Sequence, residues 1–287
     1  MPRDQWCFCT LALGEVYCRL ARQVAADLAS YGPGLPFVVL TDNPLRFCDL
    51  PNVQPIYHRQ RSVLGYNDKL SVIKRAIDQY RTAVFIDADA RILGPIDLSL
   101  EIFRPGLSAF LLRPWAYMQD TYDTSPHAPQ WQQKDLRMLA RLRDEFDLCD
   151  NGRDVPSVVE SLFAVTAGDT RDAGAFLRKW NYLAEFCEGS KFFLHEGFSI
   201  GLAARLAGFP IEQSDFAGLR FFEPRLSRSV HVPNGSMTEE EYNTWNATIT
   251  RYRVCRPEMP SGWATARAIR AQMRYLRVKL FGLDLID

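Results

Sequence analysis

Between residues 6 and 89, short runs of continuous apolar character alternate with stretches whose apolar residues recur at helical spacing. Trp6 to Leu13 is the first run, Pro36 to Thr41 the second and Ala83 to Ile86 the last. Runs this short and this apolar are what strands buried on both faces of a parallel sheet require. Between them, Tyr17, Leu20, Ala21, Val24, Ala25 and Leu28 fall on one side of a helix that Tyr31-Gly-Pro-Gly stops. Leu70, Ile73, Lys74 and Ile77 mark a second helix over 68–80, and Val53 to Tyr57 reads as one more strand. This β-α-β order predicts an α/β fold with a mostly parallel central sheet flanked by helices. Ligands of such sheets bind beyond the carboxyl ends of the strands, here Leu11–Gly14, Thr41–Asn43 and Asp87–Asp89.

Further on, 113–133 is rich in Pro, Tyr, Trp and Gln and reads as a long surface excursion. Residues 134–148 read as a charged helix, 161–166 as a strand, 170–186 and 197–206 as helices, and 209–213 as a return to the sheet. No repeat or composition break marks a linker, so 1–250 reads as one domain and 251–287 as a C-terminal extension. Across 287 residues, 34 Lys and Arg balance 34 Asp and Glu, which leaves no global field for nucleic acid. A composition of 47% hydrophobic and 24% charged residues excludes a disordered chain and a disulfide scaffold.

The charge balance breaks in the extension, where eight basic residues face three acidic ones. Arg267, Arg270, Arg274 and Arg277 share one helical face, and Ile269, Met273, Leu276 and Leu280 another. Such a helix either lies on anionic lipid or packs on the domain with a solvated basic side. Seven scattered cysteines and no secretory signal read as reduced thiols in a cytoplasmic protein, with peripheral membrane contact through the extension as a further expectation. Cys7 and Cys9 share a strand face but lack the neighbours of a metal site. No apolar run approaches the roughly 18–20 residues of a membrane span.

The chemistry concentrates at Asp87-Ala88-Asp89, directly after Val84-Phe85-Ile86. On a continuing strand the two carboxylates face the same way and repel each other, a cost that a bound cation offsets. Hard oxygen donors suit Mg²⁺ or Mn²⁺ shared with substrate phosphates. The alternative is a solvated turn after the strand.

The segment Lys69–Asp97 carries a basic residue on a helix, a strand, Asp-x-Asp and then Ile96-Asp97 in that order. It resembles the core of glycosyltransferases with the nucleotide-diphospho-sugar transferase fold, called GT-A, and is most similar to the glycogenin-like and bacterial galactosyltransferase group, family 8. Phe163-Ala-Val-Thr resembles that group's later strand, and the likeness spans roughly residues 6–235. It implies a GT-A domain over 1–250 and metal-dependent transfer, with retention, from a UDP-sugar to a hydroxyl of a saccharide or lipid-linked acceptor.

The resemblance also assigns residues. Asp87, Asp89 and His231 would hold Mn²⁺ or Mg²⁺, the histidine nitrogen favouring Mn²⁺; otherwise His231 is an ordinary strand-end histidine. Thr10, Leu11 and Ala12 would meet the uracil ring, and Tyr17 would stack on it or sit in the helix core. Asp42 would reach base or ribose, and Ala88 would line the donor between the two aspartates. Lys69 would balance phosphate charge or be a solvated lysine, with Asn67-Asp68 as a helix cap. The group's Lys-Pro-Trp is missing after His231, and Arg225 or Arg228 is the substitute. His195-Glu196 is similar to the His-Asp-Glu stretch of family 6. Glu196 would stabilise an oxocarbenium-like transition state or act as nucleophile, with His195 orienting it or touching the sugar; otherwise Glu196 is an acid favoured at a helix start. The segment from Trp115 to Trp131 would be an acceptor-side lid or a plain loop. Two rivals are a sugar-phosphate nucleotidyltransferase, whose Gly-rich basic loop is missing at Leu11–Tyr17, and a non-catalytic carbohydrate- or lipid-binding module.

Overall fold

A computed structural model describes residues 6–62, 65–98, 103–122, 124–125, 127–168, 170–189 and 196–253, together with 266, 269, 270, 272, 273 and 276. In chain order the elements are β1 (Trp6–Ala12), α1 (Gly14–Tyr31), β2 (Phe37–Thr41), β3 (Val53–Tyr57), α2 (Lys69–Ile77), β4 (Thr82–Ile86), β5 (Arg91–Ile92), β6 (Gly106–Ala109), β7 (Leu112–Pro114), α3 (Trp115–Thr121), α4 (Gln130–Phe146), β8 (Pro156–Val158), β9 (Leu162–Thr166), α5 (Thr170–Gly189), α6 (Glu196–Leu206), β10 (Ile211–Gln213), β11 (Phe221–Phe222), α7 (Pro224–Leu226) and α8 (Glu239–Arg253). Among the described residues, seven strands form one sheet in the order β10-β6-β9-β4-β1-β2-β3. Six run parallel and β9 alone runs the other way, paired antiparallel to β4 and β6.

The strands are apolar on both faces because both faces are covered. Cys7, Cys9, Val38, Leu40, Phe85, Phe163 and Val165 join a core with α2, α5 and α6. Their neighbours Phe8, Phe37, Val39, Val84, Ile86 and Ala164 join a second core beneath α1. The alternation is the period of two that a strand imposes, and the result is a three-layer α/β/α arrangement. Burial pushes the Cys7 and Cys9 thiols upward, which makes them inert core groups. Cys7, Cys9, Cys18, Cys48, Cys149 and Cys187 are free thiols; Cys255 lies outside the described residues.

Three expectations change. The excursion over 113–133 is largely helical, as α3 and the start of α4, and Trp115 is fully buried with its ring edge-on to Phe198 at 6.0 Å. Its aromatic area is worth more in the core than in a loop, so Trp115 anchors rather than covers; the Trp131 side chain lies outside the description. His231 does not end a strand but closes a π-helical turn, Ser227–His231, that continues α7. Asp68 is not a side-chain cap: its carboxylate accepts the Arg61 and Ser62 N–H groups at 2.8 and 3.0 Å.

α8 carries through the expected boundary at residue 250 and packs on α1 through Tyr242 and Ile249. Beyond it, the described positions are helical, and Ile269, Met273 and Leu276 are exposed; Arg267, Arg274, Arg277 and Leu280 lie outside the described residues. Among the described residues no helix is long and apolar enough to cross a membrane.

The approach of α6 to β8 bears directly on the site. A Cβ on Gly201 would stand 1.7 Å from the Pro156 carbonyl oxygen, and one on Gly197 would stand 2.0 Å from that of Val158. Both contacts are with backbone, so neither can be relieved by a rotamer change. Gly201→Ala should therefore cost about 3 kcal/mol, the upper end of ordinary overpacking, read as a lowered denaturant midpoint. An unchanged midpoint would show that α6 does not sit this close.

Candidate active site

β4 delivers Asp87 to the carboxyl edge of the sheet, at the point where strand order reverses. From β1 the chain proceeds to β2 and β3 on one side, while β4 lies on the other. The β1–β2 ladder continues to Ala12↔Thr41, but the β1–β4 ladder ends at Cys9↔Phe85. The strands part there, and such a parting is where α/β sheets hold ligands. The backbone turns immediately: Ala90 N–H donates to the Asp87 carbonyl at 3.0 Å, and Asp87 N–H donates to Ser161 at 3.0 Å. Ala88 points into the core. The exit is fixed by Arg91, whose guanidinium grips both oxygens of Asp27 on α1 at 2.6 Å.

Lys69, the first residue of α2, is the hub of the site. Its ammonium lies 2.9 Å from Asp87 Oδ1 and 2.8 Å from Glu196 Oε1, the first residue of α6. It also donates to the Glu160 carbonyl at 3.2 Å and sits over the Phe85 ring. Lys69 and Glu196 are buried. Burial pulls the Lys69 ammonium down, but Asp87, Glu196 and Glu160 outweigh it and hold the group well above its ordinary range. Burial pushes the Asp87 carboxyl up to about 7, against the pull of Lys69 and with the help of Asp89. Burial likewise raises Glu196, with Lys69 opposing and Glu160 adding to the shift.

Glu160 takes the opposite course. Burial would raise it, yet Lys69 and Arg225 together lower it. Arg225 Nη2 donates to Glu160 Oε1 at 3.0 Å from an exposed position on α7. Of the two arginines named above, it is thus Arg225 that joins the cluster, whereas Arg228 stands over the Tyr242 ring.

A third group of acids lies beside Asp89. Glu223 is buried and raised by that burial, the Asp89 charge adding to the effect. It starts α7 by accepting the Leu226 N–H at 2.7 Å, so the turn that carries Arg225 and His231 is anchored next to the aspartates. His231 packs on Phe110 and Phe221, with Nδ1 3.0 Å from Ser236 Oγ. Its Nε2 is buried with no hydrogen-bond partner among the described residues, and burial lowers the ring's basicity. Among the described residues no three His, Cys, Asp or Glu side chains form a ready metal cage.

The nucleotide-side residues lie at the neighbouring carboxyl ends of β1 and β2, where Ala12 pairs with Thr41 and Asp42 meets Gly14. Thr10 and Ala12 are fully buried and Leu11 partly so, packed on the core. Tyr17 is half-buried against α8's cluster. Asp42 holds the start of α1, accepting the Gly14 N–H through both oxygens at 3.0 and 3.1 Å; Gly14 supplies the φ of +79° that this turn needs. His195 lies outside the described residues. Structure thus joins Lys69, Asp87 and Glu196, selects Arg225 and adds Glu160 and Glu223, while Thr10 and Ala12 are buried and Asp42 accepts the Gly14 N–H. A signal for the added acids was present: Val158-Val159-Glu160 and Phe221-Phe222-Glu223 each end an apolar run in a carboxylate. In comparisons with known proteins, no family model and no curated protein matches this chain.

Proposed function

We propose that the protein is a metal-dependent glycosyltransferase of the GT-A type, moving a sugar from a nucleotide-diphosphate donor, UDP-linked, to a hydroxyl acceptor. The observation that carries this reading is the joining of Asp87, Lys69 and Glu196 at the reversal of strand order. A purely structural ion pair needs one acid for one base. Among the described residues Lys69 serves both Asp87 and Glu196 and Arg225 serves Glu160, while burial and neighbouring acids raise Asp87, Glu196 and Glu223, a surplus of acid over that need.

That surplus fits a hard divalent cation, and Mg²⁺-type sites commonly take one or two carboxylates and complete their shell with substrate phosphates and water. Asp87 and Asp89 would hold the ion, and the unpartnered Nε2 of His231 suits a further donor. When bound, such an ion neutralises a departing diphosphate as a Lewis acid. Lys69 holds Glu196 and Asp87 in fixed orientation, so Glu196 presents a carboxylate to the sugar carbon without having to be ordered during reaction. Arg225 offers exposed positive charge at the rim. The binding-module rival needs no such surplus of buried charge at the strand ends.

The test is donor hydrolysis with UDP-glucose, UDP-galactose, UDP-N-acetyl sugars and GDP-mannose, each with and without Mn²⁺, beside the thermal shift produced by UDP. Turnover of at least one donor only with Mn²⁺ is expected; no turnover and no UDP shift would dismiss the reading. The Asp87 shift adds a pH signature. With a carboxyl pushed up to about 7, cation binding below that pH must release a proton. Mn²⁺ affinity should rise about tenfold per pH unit below pH 7 and level off above it. Calorimetry in buffers of different ionisation enthalpy counts the proton, and a flat profile would remove Asp87 from the coordination.

A further inference from the structure

A separate cavity of about 320 Å³ opens between the edge strand β3, α2 and α5, within the range of small-molecule sites. It backs onto the carboxylate cluster across the start of α2. Asp68 faces the cavity wall, where it accepts the Arg61 and Ser62 N–H groups, while the next residue, Lys69, runs the other way to Asp87 and Glu196. Ser62 Oγ and His58 Nε2 are buried polar atoms of its lining with no hydrogen-bond partner among the described residues. Ser62 is only 4% exposed. His58 Nε2 lies 3.5 Å from Asp68 Oδ2 without making a hydrogen bond to it. Buried polar atoms in this state are completed by water or by the hydroxyl groups of a ligand.

The lining indicates what that ligand is. Arg75 and Lys74 offer donors from α2, Glu188 offers acceptors from α5, and Asn181 offers both. Tyr57 adds an aromatic ring that is 67% exposed at the mouth. Each sugar hydroxyl both donates and accepts, and the C–H face of a sugar ring packs on an aromatic face. The acids Asp68, Glu185 and Glu188 offset the bases Arg59, Arg61, Lys74 and Arg75 in the same lining, so the cavity has little net field to select an anion over a neutral ligand. We propose that this cavity binds a neutral, hydroxyl-rich saccharide. The proposal rests on the transferase reading only in making that saccharide the acceptor.

The test uses the full chain and no donor. Disaccharides containing glucose, galactose, mannose or N-acetylglucosamine, and inorganic phosphate as the anionic probe, are titrated by ligand-observed NMR. At least one disaccharide should bind saturably and phosphate should neither bind nor compete. Tyr57→Ala, a change at an exposed ring, should weaken that disaccharide at least tenfold, and Ser71→Trp, which fills the cavity from α2, should abolish its binding. Both variants should keep the thermal shift given by UDP with Mn²⁺. No disaccharide binding, undiminished binding in Tyr57→Ala, or displacement by phosphate overturns the proposal. Saccharide binding in a chain insensitive to UDP and Mn²⁺ upholds the cavity and removes the transferase, whereas donor turnover without saccharide binding does the reverse.

Discussion

Asp89→Asn should lower kcat for sugar transfer by about 10²–10³-fold, with the circular dichroism spectrum unchanged. The substitution keeps the shape of the side chain and removes one of the two carboxylates that Asp-x-Asp brings to the sheet edge. If the site works through a cation held there, the electrostatic stabilisation of the departing diphosphate, several kcal/mol, goes with that charge, and each 1.36 kcal/mol is about tenfold in rate. Asp89 is buried beside Glu223, so the lost charge is not replaced by water. The measurement is turnover at saturating Mn²⁺ and donor. Full activity in the variant would show that the pair serves the turn alone.

Lys69→Met should remove about 3–5 kcal/mol of stability, the usual cost of stranding buried partners of an ion pair. The ammonium bridges Asp87 and Glu196 at 2.9 and 2.8 Å, and without it two carboxylates face each other out of water. The loss should depend on pH. Asp87 already sits at about 7, well above the roughly 3.9 of an unfolded aspartate. The native state therefore binds more protons than the unfolded one between those values, and stability falls as pH rises through that window. Removing Lys69 raises both acids further, so the deficit should be larger at about pH 8 than at about pH 5.5. Adding Glu196→Gln to Lys69→Met should restore at least about 1 kcal/mol, a coupling typical of residues in contact. Urea unfolding at the two pH values checks both statements, and strictly additive, pH-independent losses would contradict the bridge.

Several elements were legible because their signal is local. The strands β1, β2 and β4 emerged from their apolar runs nearly at their observed bounds, and α1 and α2 from their spacing, because burial on a given face imposes a period that the chain must carry. Asp87 and Asp89 stood out for the same reason, as charge placed where an apolar strand ends. The direction of β9 was not legible, since an apolar run such as Leu162–Thr166 has the same pattern in either orientation. Trp115 was misread because its burial is decided by Phe198 on α6, far along the chain. Arg225 was only one of two candidates, and nothing in its own segment says that Glu160 will meet it.

The amino-acid order by itself determined a layered α/β core and a pair of aspartates at its carboxyl edge, because strand and helix periods and the end of an apolar run are properties of adjacent residues. Only the tertiary structure decided that Lys69 links Asp87 to Glu196, that Glu160 and Glu223 join them, and that Asp42 closes a helix start. Those meetings join residues far apart in the chain, and whether a charge is solvated, paired or crowded depends on what packing brings beside it.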